Sequence, residues 1–357
     1  MKWKTLIVVA VVSVAPLYAQ QSSRPTVSLE GVNSVPRVVN GNLTQSALNG
    51  SLASSMSDME RSAVAPAWAG YAIPGVVLRS RAMCCSTETE CRLESSGYRT
   101  SDSNITGNVQ TAFDLSVFVR FERGQVTRVR AINSDCVIDA SGTSVHWLTG
   151  VSSAESVAYL LSLVSRDGSR AISSAAIAAI SFHGAAGDPV LEKLVSNGQP
   201  EQTREQAAFW IATESSQHGL DVLRKLSRED MDERFRRYLT FAFSTASDDS
   251  TVQDLIRMAH DDRAPGVRGQ ALFWMAQRAG SKIVADIAGS VENDPDTEVK
   301  KRAVFALAQI QNGEGIPKLI EVARTNRNAA VRKQAVFWLG QSHDPRALSF
   351  LQDVLTH

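Results

Sequence analysis

The chain has 357 residues, with 37 Lys and Arg against 37 Asp and Glu, so its formal net charge is zero. This length allows about two domains, and a hydrophobic fraction of 43% is enough for ordinary cores. Neutrality argues against a general nucleic-acid binder, which needs a cationic surface to displace counterions, and gives no support to a polybasic membrane-surface protein.

The first residues read as a targeting segment. Lys2 and Lys4 precede residues 6–14, which are apolar except for Ser13, and Leu17, Tyr18 and Ala19 end on a small side chain. That is the pattern of a secretory signal peptide spanning 1–19, too short for a stable membrane anchor. The mature protein is therefore expected to be soluble and secreted or periplasmic. Residues 20–65 are rich in Ser and Asn, poor in aromatics and without a clear period. They read as a flexible linker.

Residues 66–150 change character. Trp68, Tyr71, Val76, Val77 and Leu78 point to a first strand. Leu115, Val117, Val119 and Phe121 alternate with Ser116, Phe118, Arg120 and Glu122, and Arg123-Gly124 then gives a turn before a second extended run to Ile132. This is a β-hairpin within a small β-rich domain. All four cysteines fall here: Cys84, Cys85, Cys91 and Cys136. An even count in a secreted chain favours two disulfides over a metal site, whose paired CxxC spacing is absent. Neighbours Cys84 and Cys85 would strain to pair with each other, so one is expected to bond Cys91 and the other Cys136. No Lys occurs between Gln20 and Gly150, and Arg120, Arg123, Arg128 and Arg130 cluster on the hairpin. They are candidates for binding carboxylate or phosphate; the plainer reading is a solvated outer sheet face.

Residues 151–357 read as helical, opening on a capping box of Ser152 and Glu155. From residue 170 a repeat appears. Ala207, Ala271, Ala303 and Ala335 are spaced by multiples of 32 residues, with Ala175 and Leu239 in the same phase. Leu191, Leu223, Leu255, Ile287, Leu319 and Leu351 form a second ladder of that period. Six units follow, each a pair of helices, here A and B, that bury their apolar faces only by stacking. Phe209, Phe241, Phe273, Phe305 and Phe337 share the anchor phase, which places them in the core. Trp210, Trp274 and Trp338 follow three of them.

A third ladder has Arg204, Arg236, Arg268, Lys300 and Arg332 three residues before the anchors. Asp230, Asp262, Asp294 and Asn326 stand six residues before the last four of these bases, and Val267, Val299 and Val331 directly precede three of them. The pattern resembles that of HEAT repeats, most closely at Asp294-Pro295-Asp296-Thr297-Glu298-Val299-Lys300, and the resemblance covers 170–357. It implies hydrogen bonding between neighbouring units through the acid and basic ladders. The expected fold is thus α+β multidomain, with a C-terminal all-α HEAT-type solenoid of about six helix pairs behind a small disulfide-stapled β-rich domain. Ile172 replaces the basic residue of the first unit, and Gly198 stands where an acid would precede Arg204. In the last unit Ala347, Leu348, Phe350, Leu351, Val354 and Leu355 are expected to leave an apolar edge, open to docking or dimerisation.

Repeats of this style also occur in enzymes. Deoxyhypusine hydroxylase holds iron on repeated His-Glu dipeptides, yet none of His146, His183, His218, His260, His343 and His357 is followed by Glu. Phycobilisome lyases share the repeat, but no motif here points to a pigment. HExxH, Walker A and GxSxG patterns are absent, and no residue set calls for a cofactor or metal. The sequence favours a non-enzymatic binding scaffold of the cell envelope, with a protein or peptide partner and no nucleic acid. The alternative is an enzyme, or an enzyme's regulatory subunit, with a site in the Arg-rich β domain. A cleft gathering Arg120, Arg128 and Asp139 would favour that alternative.

Overall fold

The computed structural model describes residues 35–77, 90–95, 112–134, 136–165 and 169–356. The proposed signal peptide and the first part of the proposed linker fall outside the described residues, as do Leu78, Cys84 and Cys85.

The rest of the proposed linker is ordered structure. It holds strands β1 (Val38–Val39) and β2 (Asn42–Ala47) and helix α1 (Leu52–Ser62). Ser51 caps α1 by accepting a hydrogen bond from the Ser54 amide, and Leu52 and Met56, four residues apart, are fully buried. The sequence hides this because β2 is a polar edge strand, exposed along its length, and α1 buries only those two side chains.

Two sheets follow. Strands β3 (Ala67–Val77), β4 (Glu90–Arg92), β5 (Ala112–Glu122), β6 (Gln125–Asn133), β7 (Val137–Asp139) and β8 (Ser144–Thr149) complete the set among the described residues. The larger sheet runs β2-β8-β3-β5-β6, with β2, β8 and β3 parallel and β3, β5 and β6 antiparallel. The smaller is a parallel β1-β7-β4. The β5–β6 hairpin turns on Arg123 and Gly124, both at positive φ (51° and 72°), the geometry of the primed turns that match strand twist.

Away from its β2 edge, the larger sheet is buried on both faces. Tyr71, Ile73, Leu115, Val117, Val119 and Phe121 point into a core shared with α1 and the helices that follow. On the opposite face Trp68, Phe118, Ile132, Val145 and Trp147 pack against Cys91, Leu93, Cys136 and Ile138 of the small sheet and its connections. Phe118, which broke the polar set in the sequence, sits 5.6 Å from the Trp147 ring. Gly70 makes this approach possible, since a Cβ there would lie 2.8 Å from both rings. The expectation of a solvated outer face is thus overturned: a second layer covers it.

The helical region opens with α2 (Ser153–Ser165), whose start carries the reciprocal hydrogen bonds of Ser152 and Glu155. Six helix pairs then stack: α3 (Arg170–Ser181) with α4 (Asp188–Val195), α5 (Glu201–Glu214) with α6 (Gln217–Glu229), α7 (Glu233–Thr245) with α8 (Thr251–Asp261), α9 (Pro265–Ala279) with α10 (Val284–Asn293), α11 (Thr297–Gln309) with α12 (Ile316–Thr325), and α13 (Ala329–Gln341) with α14 (Pro345–Thr356). The anchors Ala207, Leu239, Ala271, Ala303 and Ala335 are all fully buried, and so are Leu223, Leu255, Ile287 and Leu319. Ala175 and Leu351, in the first and last units, are only partly buried. One apolar core runs from the sheet through α2 into every unit, so the boundary drawn at residue 150 separates two kinds of structure but not two cores.

Candidate binding surface of the solenoid

The turn into each A helix fixes the basic ladder. At Asp230, Asp262 and Asp294 one carboxylate oxygen accepts the backbone amide two residues on, at 2.8 Å in each case. The Asn326 side-chain oxygen does the same for Asn328 at 3.0 Å. These are Asx turns, which short polar side chains favour. In three turns a second residue, Asp232, Asp296 or Asn328, caps the helix that follows.

The guanidinium groups bridge successive turns. Arg236 donates through Nε and Nη2 to both oxygens of Asp262, at 2.8 and 3.0 Å, and through Nη1 to the carbonyl of Asp230 at 2.8 Å. Arg268 repeats this with Asp294 and the Asp262 carbonyl. Arg204 pairs with Asp230 and, lacking an acid before it, donates to the Val195 carbonyl. Both side chains of the Arg236–Asp262 pair are 3% exposed or less. Such burial is tolerable because each guanidinium nitrogen of Arg236 has an acceptor, and the hydrogen bond to Asp262 holds the Arg236 guanidinium above its usual pKa.

The ladder changes at its far end. Lys300 donates to the Glu292 carbonyl, while the Asn326 amide donates to the Glu292 carboxylate. Arg332 reaches the Asn326 and Arg327 carbonyls. Ladder charges therefore bind the stack to itself and present little free field to a ligand.

The aromatic residues form the most continuous feature on the A helices. Phe209 stacks on Phe241 at 6.1 Å, and Phe273 on Phe305 at 6.2 Å. Trp274 lies 5.2 Å from Phe241, and Trp338 lies 4.8 Å from Phe305. The core placement of the Phe residues needs correcting. Phe209, Phe241, Phe273 and Phe305 are half-buried and Phe337 is 52% exposed, because they follow the A-helix anchors by two residues and lie at the rim of the buried stripe. In the last unit Ala347 and Phe350 are buried, whereas Leu348, Val354 and Leu355 are 58%, 55% and 86% exposed.

The hairpin arginines do not assemble an anion site. Arg120 donates to Glu94 and Glu122, and Arg128 to the carbonyls of Leu93 and Ser95. Arg130 is buried, and Arg123 sits at the exposed turn. Asp139 takes the Ser141 amide and Arg92, so it does not join Arg120 and Arg128 in a cleft. Cys91 and Cys136 are buried together, and neither is a free thiol.

Two histidine sites were not singled out by the sequence. His146 on β8 is bracketed by Thr44 and Ser46 of β2, with both ring nitrogens 2.9 Å from a hydroxyl, at a cleft of about 450 Å³. His183, just after α3, is 6% exposed. Its Nδ1 lies 2.7 Å from the Ala179 carbonyl, which can only accept, so Nδ1 carries the proton and Nε2 accepts. The acceptor Nε2 is 2.8 Å from Ser156 Oγ, which is in turn 2.8 Å from the Tyr71 hydroxyl. Tyr71 therefore donates to Ser156 and Ser156 to His183, tying β3, α2 and the first repeat unit in one chain of hydrogen bonds. Burial pushes His183 down to about 4 and raises Tyr71. The only sequence sign of this chain was a lone His beside an apolar run.

Comparison with known proteins bears on the solenoid. Residues 285–357 match the family model of HEAT repeats. No curated protein matches. Among solved structures, human deoxyhypusine hydroxylase is similar at 13% identity over 57% of this chain and 80% of that one, with a TM-score of 0.30. Kap121p is similar at 12% identity over 57% of this chain and 26% of its own, with a TM-score of 0.36. The CpcE–CpcF complex of phycocyanin lyase from Nostoc is similar at 15% identity over 52% of this chain and 76% of that one, with a TM-score of 0.29. The chain spans about a quarter of Kap121p.

Proposed function

We propose that the protein is a non-enzymatic scaffold of the cell envelope that holds a protein or peptide partner on its solenoid. The observation that carries this reading is the contrast in how charges are used. The inter-unit ladder and, on the hairpin, Arg120 and Arg128 are engaged internally, while the stacked units offer a continuous, half-buried aromatic surface. Stacked repeats give long surfaces of this kind, suited to extended partners, and a HEAT-repeat match in the last units is consistent with it. The envelope address rests on the sequence of residues 1–19 and on the cysteines, for which we keep one bond from the Cys84–Cys85 pair to Cys91 and one to Cys136. Among the described residues, the engagement of Arg120 and Arg128 by Glu94, Glu122 and backbone carbonyls favours the scaffold over the enzyme alternative.

Affinity capture with the full chain in its native host tests this. A partner should be recovered in stoichiometric amount by the wild type and lost with Phe273→Glu and Phe337→Glu, while Arg123→Glu leaves capture intact. Capture of nothing by the wild type, or capture lost only with Arg123→Glu, contradicts the reading.

A further inference from the structure

The B helices carry a group of arginines that the ladder leaves aside. Arg228 in the last turn of α6, Arg257 in α8 and Arg263 just after α8 line a cleft of about 290 Å³, with Ser227, Asp261 and Asp262. Three neighbouring arginines have carboxylate partners: Arg204 with Asp230, Arg224 with Asp221 and Asp254, Arg236 with Asp262. None of the three cleft arginines forms an ion pair among the described residues.

Arg257 is the most constrained. Its Nη2 donates to Ser227 Oγ at 2.6 Å, but its Nε is buried with no acceptor. Arg263 donates to the Asp230 carbonyl at 2.6 Å. Of the three nearby acids, Asp254 is paired with Arg224, Asp262 is already held at both oxygens by Arg236, and Asp261 is exposed at the rim. Three guanidinium groups thus face one uncommitted carboxylate. Burial, and then the charge of Arg228, hold Arg257 below its usual pKa, and Asp254, Asp261 and Asp262 do not restore it. Helix C-termini welcome cations, which accounts for Arg228. That does not account for a buried Nε without a partner, a group that costs free energy until an acceptor arrives.

We propose that the cleft between α6 and α8 is an oxyanion site that receives a carboxylate from an acidic segment of a protein partner. A planar carboxylate fits a guanidinium fork, and in the cleft it balances three guanidinium groups that share one uncommitted acid. Asp261 at the rim repels a dianion more than a monoanion, which favours carboxylate over phosphate. The source of the carboxylate rests on the protein-binding reading above; the anion site itself does not.

Calorimetric titration of the full chain tests it, with a short poly-glutamate peptide as one probe and inorganic phosphate as the other. The peptide is expected to bind the wild type and to weaken about tenfold with Arg257→Lys, which keeps the charge and removes the fork. It should weaken further with the exposed double variant Arg228→Gln/Arg263→Gln, whose thermal midpoint is unchanged. Equal binding by wild type and variants, binding of phosphate without the peptide, or binding of neither overturns the proposal. Capture of a partner that survives these variants removes only the cleft and leaves the scaffold; peptide binding without any captured partner does the reverse.

Discussion

In the solenoid, a buried guanidinium meets a carboxylate 26 residues further along, three times over. In the sheet, Arg120 and Arg128 converge on Glu94, and the junction to the first repeat is closed by the neutral chain of Tyr71, Ser156 and His183. The two regions share one core but use different polar fasteners. A repeat can reuse a charged pair because each turn recreates the same acceptors, two carboxylate oxygens and one carbonyl. A junction that occurs once has no such register, and hydrogen bonds between neutral groups avoid the large desolvation cost of ions.

The largest expected effect separates the ladder's centre from its end. Asp262→Ala leaves Arg236 buried without its anion and should cost about 3–5 kcal/mol. Asn326→Ala, at the step where the paired charge is already replaced, should cost about 1–2 kcal/mol. Urea denaturation of both variants checks the order, and equal losses would show that the ladder is not held by its ion pairs.

The junction should be the pH-sensitive fastener. The folded pKa of His183 is depressed to about 4 from an ordinary 6.5. The unfolded chain therefore binds the extra proton first, and stability falls as pH drops from about 6.5 to about 4. The full loss is on the order of 3 kcal/mol. Thermal midpoints across this window should show the slope in the wild type, and His183→Gln should flatten it.

The smallest effects concern a helix cap and then the hairpin tip. Asp232→Ala removes the acceptor for the Arg234 and Phe235 amides and should cost about 1 kcal/mol. Arg123→Gln at the hairpin tip should stay within about 0.5 kcal/mol of the wild type. A larger shift at Arg123 would revive a role for the hairpin arginines.

The solenoid was legible because its information is periodic. Ala207, Leu255 and Arg236 each belong to ladders that repeat every 32 residues, and the repeat itself defines the core face. The sheet was legible only at the hairpin. Strand β2 is mostly polar and exposed along its length, so it reads as linker, and the small sheet covering Phe118 is built from strands of two or three residues, too short to show a period. The Phe column was misplaced because phase with the anchors sets a residue's angle on the helix, not its depth. The Arg257 cleft escaped notice because only the stacking of α6 on α8 brings Arg228 and Arg257 together.

Site-specific photocrosslinking in the native host compares the two regions most directly as binding surfaces. A photoreactive residue would replace Phe273, Arg228 or Leu348 in the solenoid, and Arg123 or Leu43 in the sheet. Discrete protein adducts from the solenoid positions, with none from Arg123 or Leu43, are the predicted result. Adducts confined to the sheet positions, or none anywhere while the purified protein turns over a substrate, would contradict the scaffold.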